Sequence, residues 1–187
     1  MEKPMLTIAI DSCFKKKEID DPLKEVARIF EIDERVYALK ISKDKTPKLV
    51  FSFGKLSGEN FSKVCDNIDS DVWKSASKKI AKIVKQRKKS DSILVFECNY
   101  GNVKTRLTCR TRDSKVVRSA MESLRKAFSH LSQIVKSGNI PSDELQIYCG
   151  FDEKAKEYKI DRAVAFTPNF EEHIFDEKRG RWLKVNQ

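Results

Sequence analysis

Apolar positions in this chain recur in two periods, and the switches between them set out a string of elements. Met5 to Ile10 is a short apolar run that predicts a strand. Asp21 followed by Pro22 predicts a helix start, with Leu23, Val26, Ala27 and Phe30 on its apolar side. Tyr37, Leu39 and Ile41 alternate with Ala38 and Lys40, and Leu49, Phe51 and Phe53 alternate after a polar turn at 43–47. This predicts a hairpin of 36–42 with the return strand 49–53. A short helix is expected around Phe61, Val64 and Cys65, and a second over 72–90.

A second hairpin is predicted from 93–98 and 103–111. With Tyr100 and Gly101 as its loop, Asn99 faces Asn102 and Glu97 faces Lys104. Leu94, Phe96 and Cys98 then share a face with Val103, Thr105, Leu107 and Cys109, while Lys104, Arg106, Thr108 and Arg110 take the other. One long helix is expected over 114–137, carrying Val116, Val117, Ala120, Met121, Leu124, Ala127, Phe128, Leu131, Ile134 and Val135, and ending at Gly138. A third hairpin pairs 145–151 with 158–166, and 173–185 predicts a fourth around Lys178, Arg179 and Gly180. The pattern implies an α+β fold: a mainly antiparallel sheet built from hairpins, with helices packed on one face. Residues 1–140 would form the core, with the hairpins of 141–187 packed on the same domain. The element order over 21–137 is similar to that of roadblock-like modules and of single-copy homing endonucleases, although the acidic helix motif of the latter is absent. Element order implies nothing about function.

Charge changes this picture at one element. The chain has 187 residues and a formal net charge of +10. Between Val72 and Ser90 stand eight Lys or Arg and no Asp or Glu. On a helix, Trp73, Ala76, Ile80, Ile83 and Val84 fall on one side and Lys74, Lys78, Lys82, Lys85 and Lys89 on nearly the opposite side. Like charges four residues apart repel by a few tenths of a kcal/mol per pair, so a polyanion would relieve the stripe. Lysine offers a point charge without the planar fork of arginine, which suits phosphate contact rather than base reading. Lys104, Arg106 and Arg110 form a second basic row on the hairpin face. Tyr100 is the candidate exposed stacking ring, and the tail adds Lys178, Arg179, Arg181, Lys184 and Trp182.

Catalytic patterns are sparse. Five cysteines without close pairs and two histidines do not make a zinc site or a secreted disulfide framework. Cys98, Cys109 and Cys149 read as core residues of strands. His130 reads as a structural helix residue and His173 as part of a loop. Asp11, or the set Asp152, Glu157 and Lys159, could serve a metal-dependent nuclease. No glycine-rich phosphate loop occurs, so no cofactor is expected. No apolar run reaches the roughly 18 to 20 residues of a membrane span. A cytoplasmic or nuclear compartment is expected. The reading is a non-enzymatic protein that contacts DNA or RNA through phosphates. The alternatives are a protein-interaction or scaffold module whose basic helix is solvated or meets an acidic protein, and the nuclease. The oligomeric state is not encoded in these patterns.

Overall fold

The structure is a computed structural model that describes residues 2–37, 46–87, 90–142, 144–166 and 170–185. Strand β1 (Met5–Asp11) buries Leu6, Ile8 and Ile10, and both of its edges are paired. Strand β2 (Glu31–Tyr37) runs parallel to it on one side, and β3 (Lys48–Lys55) runs antiparallel on the other. Of the strand expected at 36–42, Val36 and Tyr37 pair with β1 and not with β3, and residues 38–45 lie outside the described set. The physical reason is polarity. β2 carries Glu31, Asp33, Glu34 and Arg35, which suit a sheet edge. β3 reads Leu-Val-Phe-Ser-Phe and buries Leu49, Phe51 and Phe53, which suits the interior.

The sheet continues through β4 (Ser92–Tyr100), β5 (Val103–Thr111), β6 (Leu145–Asp152), β7 (Glu157–Ala165), β8 (Glu171–Asp176) and β9 (Arg181–Lys184). Its nine strands lie in the order β2-β1-β3-β4-β5-β6-β7-β8-β9. It is mixed, and not mainly a set of antiparallel hairpins. β1 with β2, β3 with β4 and β5 with β6 are parallel. Parallel neighbours need a crossover, and helices supply each one. Helix α1 (Lys16–Val26) joins β1 to β2. Helices α2 (Gly58–Asp69) and α3 (Asp71–Gln86) join β3 to β4, and α4 (Ser114–Glu122) and α5 (Leu124–Lys136) join β5 to β6. The strand, two helices, parallel strand arrangement thus occurs twice.

Two helices differ from the sequence pattern. α1 begins at Lys16 rather than at Pro22, and Pro22 is interior and buried. The Glu18 carboxylate accepts from the amide of Lys15 at 3.1 Å and steadies the first turn. The run 114–137 is two helices, because Ser123 breaks it. Its Oγ donates to the carbonyl of Ala120 at 3.1 Å, and such back-bonding bends helices. Gly138, at φ +73, stands just past the end of α5, where a left-handed residue is favoured.

An aromatic cluster holds strands to helices. Trp73 of α3 meets the rings of Phe30, Phe51 and Phe53 at centroid distances of 6.0, 6.3 and 6.1 Å. Phe53 meets Phe128 of α5 at 5.3 Å. Trp73 Nε1 donates to the carbonyl of Met121 at 3.1 Å, which ties the start of α3 to the end of α4. Tyr100, the expected exposed stacker, is 5% exposed, and its hydroxyl donates to the carbonyl of Phe128 at 2.8 Å.

Candidate functional site

Helix α3 begins where the sequence places it and ends at Gln86, short of the expected Ser90, with Arg87 as a non-helical cap. Ser70 Oγ accepts from the amide of Trp73 at 3.2 Å and caps the N-terminus, and Asp71 adds negative charge to the first turn. Trp73, Ala76, Ile80, Ile83 and Val84 are all buried. Ser77 and Ala81 are buried as well, and their small side chains let a neighbouring helix approach. α3 is antiparallel to α4, since Trp73 bonds to Met121. It is antiparallel to α1 too, since Lys79 reaches Asp21 and Glu25 while Arg87 reaches Cys13 and Glu18.

The lysine stripe divides by partner. Lys79, on the α1 flank, is clamped at 2.9 Å by both Asp21 and Glu25, and those two carboxylates raise its pKa. Arg87 lies over the ring of Phe14 at 4.0 Å. Lys74 pairs with Asp71 at 3.3 Å. Lys78, Lys82 and Lys85 are exposed and form no ion pair with any described residue. Lys89 lies outside the described residues. Lys115 and Arg118 in the first turns of α4 add to this surface. They lie one to two turns ahead of Met121, which meets the start of α3, and they too have no ion pair among the described residues. Sequence reading passed over them because they belong to the polar side of a core helix. The only signal is their position in the first turns of a helix that runs antiparallel to α3.

The hairpin row stands elsewhere. Phe96 and Leu107 are cross-strand partners whose side chains are fully buried, so the alternate residues Lys104, Arg106 and Arg110 project from the opposite face. This row is not on the α3 side of the sheet. The β4–β5 register is also two residues from the expected one. Asn99 faces Lys104, Glu97 faces Arg106, and Gly101 and Asn102 form the loop. Gly101, at φ +61 in the first loop position, is what a type II′ turn requires. A slip of two keeps every side chain on its expected face. It gives Glu97 to Arg106 at 3.6 Å and leaves Lys104 without an ion pair among the described residues. Arg110 pairs with Asp91 at 3.4 Å.

The remaining candidates resolve into structure. In the tail, Lys184 pairs with Glu171 at 2.5 Å and Arg179 with Asp176 at 3.7 Å. Trp182 packs on Phe175 at 4.9 Å and anchors the β8–β9 ribbon. His173 is a buried residue of β8 and not a loop residue. Asp11 accepts from the amide of Cys13 at 2.9 Å, as a turn residue does. Asp152 is taken by Lys159 at 2.6 Å, and Glu157 by Lys126 at 2.5 Å. Among the described residues no group of three His, Cys, Asp or Glu could hold a metal ion. Among them, too, no helix is long and apolar enough to cross a membrane. Comparison with protein-family models, with curated proteins and with solved structures finds no match to this chain.

Proposed function

We propose that this protein binds nucleic-acid phosphates, with little sequence specificity, through the basic surface of α3 and the first turns of α4. The observation that carries the reading is the run of exposed ammonium groups at Lys78, Lys82 and Lys85, which have no ion pair among the described residues, on a helix whose Lys74 and Lys79 do have carboxylate partners. Lys115 and Arg118 widen the row. In this reading the helices lie as one layer on a single face of the sheet, so these groups form a continuous convex surface. About five phosphate contacts would follow, for which the slope of log affinity against log salt is about −4 to −5 on duplex DNA.

The test is a salt titration of mixed-sequence duplex binding. Replacing Lys78, Lys82 and Lys85 together by Gln should lower the slope by about 3 and remove binding at physiological salt. Replacing Arg106 and Arg110 by Gln should leave duplex binding unchanged. Equal slopes for the lysine variant and the unsubstituted protein would sink the proposal.

One observation favours the rival, a protein-interaction module. Ile174 and Leu183, cross-strand neighbours on the β8–β9 ribbon, are 50% and 41% exposed. That reading expects Ile174→Lys to change the sedimentation coefficient and to leave nucleic-acid binding intact.

A further inference from the structure

Where the β4–β5 turn meets the start of β6 and the end of β7, the sheet face that carries Lys104 dips into a depression of about 460 Å³. Asn99, Asn102, Lys104, Glu144, Gln146 and Phe166 line it. None of these five polar side chains has a hydrogen bond or an ion pair among the described residues. Elsewhere on this face Arg106 pairs with Glu97, Arg110 with Asp91, and Arg162 with Glu172. Phe166 is 49% exposed, and its ring meets that of Phe170, itself 63% exposed, edge-on at 6.2 Å. Tyr148, on the same face, is already covered by the Arg162 guanidinium at 5.1 Å.

We propose that this depression holds one unpaired nucleotide of a single-stranded nucleic acid. The exposed face of Phe166 stacks on the base, and Phe170 holds the ring at its edge. Asn99, Asn102 and Gln146 each offer both a donor and an acceptor, which is what the hydrogen-bonding edge of a base needs. The Glu144 carboxylate accepts from a base amine and keeps phosphate away from its own end. Lys104 supplies the cation for the phosphate. An acidic peptide would be repelled by Glu144, and an apolar helix would strand three amides without partners. A duplex has its base faces stacked and its edges paired, so it does not enter. The site is on the face opposite the lysines of α3 and stands on different residues.

The experiment uses the full chain and fluorescence anisotropy with labelled homopolymeric DNA and RNA single strands and a mixed-sequence duplex. Phe166→Ala, an exposed substitution, should weaken single-strand binding roughly 5- to 160-fold, since stacking is worth about 1–3 kcal/mol per base. The double change Asn99→Ala and Gln146→Ala should weaken it as well. Neither should alter duplex affinity. Adenosine monophosphate, added alone at millimolar concentration, should shift the side-chain amide NMR signals of Asn99 and Gln146. Single-strand affinities within twofold of the unsubstituted protein in both variants, or unmoved amide signals, would overturn the proposal. The triple Lys→Gln variant of α3 separates the two sites: it should lose duplex binding and keep the mononucleotide shifts. Loss of the pocket effects alone leaves the lysine surface standing, and the reverse holds too.

Discussion

At the scale of single residues, the cysteines and Asp152 make the most direct predictions. Cys65, Cys98, Cys109 and Cys149 are buried, and Cys13 is exposed. Burial pushes the thiols of Cys98 and Cys109 up to about 12, so they stay protonated and unreactive at neutral pH. A thiol reagent should titrate one group per chain in the native protein and five in denaturant. Even Cys13 should react slowly, because the hydrogen bond to the Asp11 carboxylate raises its pKa, and Asp11→Asn should speed it. Asp152 responds to acid. Lys159 at 2.6 Å, with the amides of Ala155 and Lys154, holds its carboxyl down at about 2. A depressed carboxylate contributes stability above its unfolded pKa of about 3.9, and that contribution fades as pH falls toward 2. Asp152→Asn should therefore lower the thermal midpoint at neutral pH, and the gap should close between about pH 4 and 2. The core cysteines were legible in the sequence because they alternate with apolar neighbours. The state of Lys104 was not. It depends on a two-residue register shift that preserves the face of every side chain, to which hydrophobic patterning is blind.

At the scale of elements, α3 was legible almost residue by residue, because a helix this amphipathic has one way to lie on a core. Which of its lysines are free was hidden, since Asp21 and Glu25 reach Lys79 from α1, a helix more than fifty residues earlier in the chain. The split between α4 and α5 was hidden for a different reason: apolar periodicity runs straight through Ser123, and the bend comes from a polar side chain bonding its own backbone. Trp73 should be the residue on which the packing of α3 depends. Trp73→Ala would empty the centre of the aromatic cluster and cut the bond to Met121, and should cost about 3–5 kcal/mol in a denaturant titration. Tyr100→Phe removes one buried hydrogen bond, to Phe128, and keeps the ring. About 1 kcal/mol is expected, with nucleic-acid affinity unchanged because the ring is inside the fold.

At the scale of the whole molecule, the strands were visible in the sequence but their neighbours were not. Period-two alternation identifies a strand and its buried face, and it carries no statement of which strand lies beside it. That is how β2 and β3, adjacent in sequence, came to flank β1. The same sheet separates the two proposed contact surfaces, with the lysines of α3 on one side and the Phe166 depression on the other. Each surface should then bind on its own when the ligand is short. A single strand of about four nucleotides, near the lower limit for one binding surface, cannot reach around the sheet edge. Two such strands should bind per chain, and the Phe166→Ala and triple lysine variants should each remove one of them. A strand long enough to pass the edge engages both surfaces, and its second contact is made at the high effective concentration that the first provides. Affinity should rise steeply once that length is passed, and either variant alone should abolish the rise. On short strands the two losses are separate events, so the combined variant should bind neither strand. A titration across strand lengths, read by anisotropy and by sedimentation for stoichiometry, decides it. A smooth length dependence with one strand bound throughout would mean that only one of the two faces meets nucleic acid.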